Sequence, residues 1–210
     1  MTPEIAAHAD LFGDPGLLVP SRHTGYPAWF RQSLAYDLAI LGPRPPQPPT
    51  APPAAVLVIG CSATKRADTG KLAAWHRYDG PVWRTLRTHW APGSSVQVYA
   101  LSAQHGLIPA ETPIMDYDTR LQDVVEHVVA GGRSLPVTAG DRIAQDWRHR
   151  LTWERLERSP RLLVVAGAAY RRVIGRWATR PYAHALGGIG EQRAALRRWL
   201  ADRAALRAPP

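Results

Sequence analysis

A thiol, two hydroxyls, an amine and an imidazole stand in two short loops of this chain: Val58-Ile-Gly-Cys61-Ser62-Ala-Thr64-Lys65, and Tyr99-Ala-Leu-Ser102-Ala-Gln-His105-Gly106. Each loop follows an apolar, β-like run directly. A lysine at a strand end does one of two kinds of chemistry. Partly buried, with its pKa lowered, its amine adds to an electrophilic carbon; kept charged, it clamps an anion. A solvated lysine on a tight turn is the plain alternative. The hydroxyls of Ser62 and Ser102, with free backbone N–H groups, suit a phosphate, a carboxylate or a nucleobase edge. His105 reads as an acid/base or orienting contact, or else as a loop hydrogen-bonder. Cys61 reads more as a small residue closing a strand than as a thiolate nucleophile.

Familiar catalytic spacings are absent. There is no Gly-x4-Gly-Lys-Ser/Thr phosphate loop and no Gly-x-Ser-x-Gly elbow, so a Ser102–His105 relay is not implied. Asp116, Tyr117 and Asp118 offer two carboxylates and a phenol, with Asp118 favoured as a helix N-cap. Asp123 and His127, four apart on an expected helix, read as a surface pair. No metal and no cofactor is expected.

The loops need a scaffold, and the chain supplies one. Ala55–Ile59, Val96–Leu101 and Arg161–Ala166 are short continuous apolar runs, the pattern of strands covered on both faces. Helix-like stretches lie between and after them, near 81–90, 118–130, 140–158 and 168–178. A Gly187–Gly190 turn then leads into an Arg-rich helix from Glu191 to about Arg207. The alternation predicts an α/β domain over 54–207, a three-layer, mainly parallel sheet flanked by helices. Ahead of it, 1–42 reads as an N-terminal helical appendage for docking, with Trp29 or Phe30, Leu34, Leu38 and Leu41 at helical spacing. Residues 43–53 hold seven prolines in eleven positions and form an extended linker.

Composition limits the function classes. One cysteine in 210 residues excludes an intrachain disulfide and a multi-cysteine zinc site. No apolar run approaches the roughly 18 residues of a membrane span, and the N-terminus lacks the features of a secretion signal, so a cytoplasmic protein without a membrane partner is expected. The net charge of +9 is lopsided: residues 1–139 hold 11 basic and 11 acidic side chains, whereas 140–210 hold 15 and 6. Such a segment tracks a phosphate backbone or forms the solvated face of Arg-rich helices. Against 24 arginines the chain has only two lysines, Lys65 and Lys71, so a lysine here is not a casual surface choice.

Taken in order, the motifs Cys61-Ser62-x-x-Lys65, Leu101-Ser102-Ala-x-His105-Gly-Leu-Ile, Ile114-x-x-Tyr117-Asp118, Ala166-Gly-x-x-Tyr170-Arg171 and Gly187-x-Ile-Gly190-Glu191 resemble the bacterial family grouped with the peroxide stress protein YaaA. This chain has Cys61-Ser62 where that family has Ser-Pro, and His105 where it has Tyr. More locally, Cys61, Ser62 and Lys65 resemble the Pro-Cys-Ser-x-x-Lys loop of archaeosine synthase, whose lysine adds to a modified tRNA base; Gly60 replaces the proline. The resemblances imply a pocket for a nucleobase or nucleotide, free or in nucleic acid, with base modification as the chemistry. Lys65 and His105 would then be catalytic. Cys61, Ser62, Ser102, Tyr117, Asp118, Tyr170, Arg171, Gly188, Gly190 and Glu191 would contact the ligand. The rival is a non-catalytic DNA-binding stress-response protein using the Arg-rich last third, with Arg193, Arg197 and Arg198 on DNA or RNA. Oligomeric state is left open.

Overall fold

The computed structural model describes residues 53–128 and 134–202. In chain order the elements are β1 (Ala55–Gly60), β2 (Leu72–Ala73), α1 (Ala74–Arg77), α2 (Pro81–His89), β3 (Val96–Ser102), β4 (Gly106–Pro109), β5 (Pro113–Ile114), β6 (Val124–Val128), β7 (Ser134–Thr138), α3 (Ala139–Gln145), α4 (Trp147–Leu156), β8 (Leu162–Val165), α5 (Ala168–Gly175), β9 (Ala183–His184) and α6 (Ile189–Ala201).

The central sheet runs β4-β3-β1-β8-β9. Only β4 is antiparallel. Along β1, Ala55, Leu57 and Ile59 enter one core with Val82, Trp83 and Leu86 of α2 and Leu196 of α6. Val56 and Val58 enter a second core with Ile143 of α3, Trp153 and Leu156 of α4, and Val173 and Ile174 of α5. A strand buried on both faces has no polar side to alternate with, hence its continuous apolar run. The result is a three-layer α/β domain.

The helical reading of 118–130 gives way to a loop and the β6–β7 hairpin, paired Val124↔Thr138 through Val128↔Ser134. Val124, Val125 and Val128 are β-branched, and Gly131-Gly132 follows them in the sequence, which favours a ribbon over a helix. Asp118 therefore caps no helix, and Asp123 and His127 share no helix face. Asp123 instead accepts a bond from the Arg120 amide at 2.7 Å. The single helix expected over 140–158 is two, broken at Asp146. Thr138 caps α3 by accepting from Asp141 N at 3.0 Å, and Asp146 caps α4 by accepting from Arg148 N at 2.9 Å. The last helix starts at Ile189 and ends at Ala201. The expected docking helix within 1–42 lies outside the described residues, as does all of the proline linker except Pro53.

Candidate functional site

The crossover from β1 passes through α2 on one face of the sheet, and that from β8 passes through α5 on the other. Their loops leave in opposite directions at the carboxyl ends of these adjacent parallel strands, the place where open α/β sheets bind ligands. Gly60 ends β1 at this edge. A Cβ there would lie 3.3 Å from Ala166 Cβ and 3.4 Å from Tyr170 Cδ2, so its hydrogen lets Tyr170 cross the strand end. The Tyr170 hydroxyl then reaches Cys61 Sγ at 2.7 Å.

The loop after β1 is held mainly by backbone groups. Cys61 N donates to Leu101 O at 2.9 Å, extending the β1–β3 ladder by one residue. Ser62 Oγ donates to Thr64 O and accepts from Gly80 N at 3.1 Å. Asp79 N donates to Thr64 O at 2.9 Å, Arg66 N donates to Arg77 O at 2.8 Å, and Lys65 bridges Tyr78 between them. Beneath the loop, the fully buried Arg77 donates to the carbonyls of Arg66, Asp68 and Gly70 at 2.6, 2.9 and 2.5 Å. The two terminal nitrogens are satisfied this way without a carboxylate, while the buried Nε has no partner among the described residues.

The loop after β3 is a tight reversal into β4. The buried Ser102 Oγ accepts from the amides of Gln104 at 3.2 Å and His105 at 3.0 Å, and Gly106 closes the turn at φ +71°. From outside, Arg142 donates to Gln104 O at 2.7 Å. His149 packs so closely under Gly106 that a Cβ there would sit 1.9 Å from its Nε2.

Tyr117 joins the two loops. Its hydroxyl bonds Ser102 Oγ at 2.8 Å and the Tyr78 hydroxyl at 2.7 Å. Its ring carries Lys65 Nζ 4.4 Å from the centroid and meets the His105 ring edge-on at 5.3 Å. Lys65, Ser102 and His105 thus surround one half-buried ring, and Cys61 with Tyr170 forms a second pair at the same strand ends. Burial pushes the phenols of Tyr78, Tyr117 and Tyr170 above their ordinary range. Burial first, and the charge of Arg142 second, holds His105 below the usual histidine value. At neutral pH the cluster consists of protonated phenols, a neutral imidazole and an amine with no carboxylate among the described residues in ion-pair contact. Phenols and ammonium donate hydrogen bonds, so the arrangement favours ligands rich in acceptors.

Other expected site residues stand apart from this chemistry. Arg171 donates to Ala166 O at 2.6 Å, which fastens α5 to the end of β8. Glu191 accepts from Gly188 N at 2.7 Å and caps α6, with Gly190 in the first turn. Asp118 is exposed in the loop after Tyr117. Arg193 donates to Thr85 Oγ1 at 2.9 Å, whereas Arg197 and Arg198 are exposed on α6. A concavity around Gln97, Tyr99, Pro109 and Glu111 lies toward the opposite end of β3 and contains none of the site residues. Sequence reasoning missed Tyr78, Gly80 and Arg77. The Gly80-Pro81 step marks a helix start, but nothing local shows that Tyr78 meets a residue 39 positions away. Among the described residues no group of three or more His, Cys, Asp or Glu could hold a metal ion, and no helix is long and apolar enough to cross a membrane.

Residues 56–198 match the model of DUF6884, a family of unknown function. No curated protein and no solved structure matches the chain. The likeness to the YaaA and archaeosine synthase loops remains one of short motifs.

Proposed function

We propose, from the premise that the chain belongs to the DUF6884 family of unknown function, that it binds a nucleobase or nucleotide, free or in a polynucleotide, at the carboxyl ends of β1, β3 and β8. The observation that carries this reading is Lys65 seated on the Tyr117 ring, beside His105 and Ser102, with no carboxylate of the described residues paired to it. A structural lysine would ordinarily have an acid partner or open water. Here it faces an aromatic wall. Lys65 acts either as an anion clamp or as a nucleophile, its nitrogen adding across a C=N bond of the base while the π electron pair of that bond, and the proton the lysine gives up, go to the ring nitrogen. The α2 and α5 N-termini, capped by Gly80 and Gly167 without side-chain bonds, add positive partial charge at the same edge. The loop resemblance to archaeosine synthase supports base modification, and that to YaaA a role in stress response.

Calorimetric titration with a panel of nucleobases and mononucleotides tests the reading. Binding lost in Lys65→Ala and kept in Lys65→Arg identifies a clamp. If Lys65→Arg binds but no longer turns the ligand over, while Cys61→Ala still does, Lys65 is the nucleophile. Binding unchanged in Lys65→Ala overturns the proposal.

Exposed Arg197 and Arg198 favour a second reading, a nucleic-acid surface on α6. Its signature is affinity that falls steeply with salt and is weakened by replacing both with Ala.

A further inference from the structure

Ser102, Tyr117 and Tyr78 carry three hydroxyl protons but make only two bonds with one another. A serine oxygen has two lone pairs, and those of Ser102 are taken by the amides of Gln104 and His105. Its proton therefore goes to Tyr117. The Tyr117–Tyr78 contact uses one of the two phenolic protons, which leaves one without an acceptor among the described residues. Ser102 and Tyr78 are fully buried, whereas Tyr117 is half-buried. The spare proton is open to a ligand when Tyr78 donates to Tyr117, filling that oxygen's second lone pair and turning the Tyr117 O–H outward. Tyr117 is then a saturated acceptor and a free donor.

Burial keeps both phenols above their ordinary range, so neither sheds this proton at neutral pH. Lys65, on the same ring, adds further donors. Of the nearby carboxylates, Asp79 is paired with Arg84 and Arg87 and Asp68 with Arg66, while Asp116 and Asp118, on either side of Tyr117, are exposed, Asp116 Oδ1 accepting from the Tyr117 amide at 2.9 Å. An amino group placed here would bring its protons against donors. A carbonyl oxygen would meet them with lone pairs.

Resting on the nucleobase reading, we infer that the ligand is an oxo-substituted ring, such as a 6-oxopurine, whose carbonyl oxygen accepts the Tyr117 hydroxyl proton beside Lys65. Adenine and hypoxanthine separate this from shape alone, being nearly the same size, with an amino group beside an unprotonated ring nitrogen in one and an oxo group beside a ring N–H in the other. Calorimetric titration of the wild-type chain is expected to show hypoxanthine binding at least about tenfold more tightly than adenine, the range for one satisfied against one stranded donor. In Tyr117→Phe that preference should disappear. Equal binding of the two purines, or a preference that survives Tyr117→Phe, overturns the inference and leaves the base reading standing. Glutarimide, an oxo ring that is no nucleobase, supplies the converse. If it binds through Tyr117 and neither purine binds, the oxo inference stands and the nucleobase reading falls. If none of the three binds, both fall. The purine comparison needs no substitution, so the test survives a Tyr117→Phe chain that does not fold.

Discussion

Replacing Ser102 by Ala removes one oxygen from a position with no solvent access. That oxygen serves three partners: the amides of Gln104 and His105, at 3.2 and 3.0 Å, and the Tyr117 hydroxyl at 2.8 Å. Gln104 and His105 are partly exposed, so water recovers some of what their amides lose, at about 0.5–1 kcal/mol each. The Tyr117 hydroxyl, facing a buried methyl, loses a neighbour that water cannot replace, at about 1–2 kcal/mol. The cavity is smaller than a methyl group and adds little. The expected total is about 2–4 kcal/mol, far above an exposed Ser→Ala change such as Ser94, whose Oγ lies 3.5 Å from Val96 O. Urea unfolding of both variants against the parent measures the difference, with an unchanged m-value confirming a native-state effect. Amide exchange should accelerate at Gln104 and His105. If Ser102→Ala lies within about 0.5 kcal/mol of the parent and both amides keep their protection, Ser102 does not frame the loop.

Gly106→Ala should cost about 1–2 kcal/mol for a side chain at φ +71° and about 1–3 more for collision with His149; combined with His149→Ala only the collision is relieved, so a double-mutant cycle measured by urea unfolding should show non-additivity, and strict additivity would refute the contact. Arg77→Met strands three carbonyls and should destabilise the chain by about 2–5 kcal/mol, with Arg77→Lys unable to restore all three, as thermal unfolding and limited proteolysis of 66–70 would report. His105 and His149 are both held below the ordinary histidine value, chiefly by burial. The unfolded chain therefore takes up their protons first as pH falls, so their contribution is whole above about pH 6.5 and declines below it toward the depressed folded values. Urea midpoints should drop between pH 7.5 and 5.5, and less so in His149→Gln; a flat profile would refute the burial argument.

The parallel core of the fold was legible because burial on both faces forces an unbroken apolar strand, as in Val56-Leu-Val-Ile59. The two loops at the strand ends were legible as loops because such strands must end in something. The stretch 118–130 was not, since Leu121, Val124, Val125 and Val128 fit a helical face as readily as a ribbon and only pairing with 134–138 decides between them. The hub of the site was half legible. Tyr117 appears beside two aspartates that draw attention to themselves, yet its partners are Tyr78, Lys65, Ser102 and His105, brought in by long-range packing. Arg77 shows the same limit: a lone arginine after a tryptophan-histidine pair carries no sign that it will be fully buried with only carbonyls for company.

Arg77 grips its loop through carbonyl oxygens alone, and every residue type presents the same carbonyl. Side chains at 66, 68, 69 and 71 are all exposed and can be exchanged without redirecting the backbone beneath them. Gly70, at φ +79°, is the one position that resists. The segment beside Lys65 is in that sense a mounting plate. A lineage could re-dress it with different charges or aromatics, changing what approaches the strand ends, while the frame that holds Lys65 against Tyr117 is inherited intact.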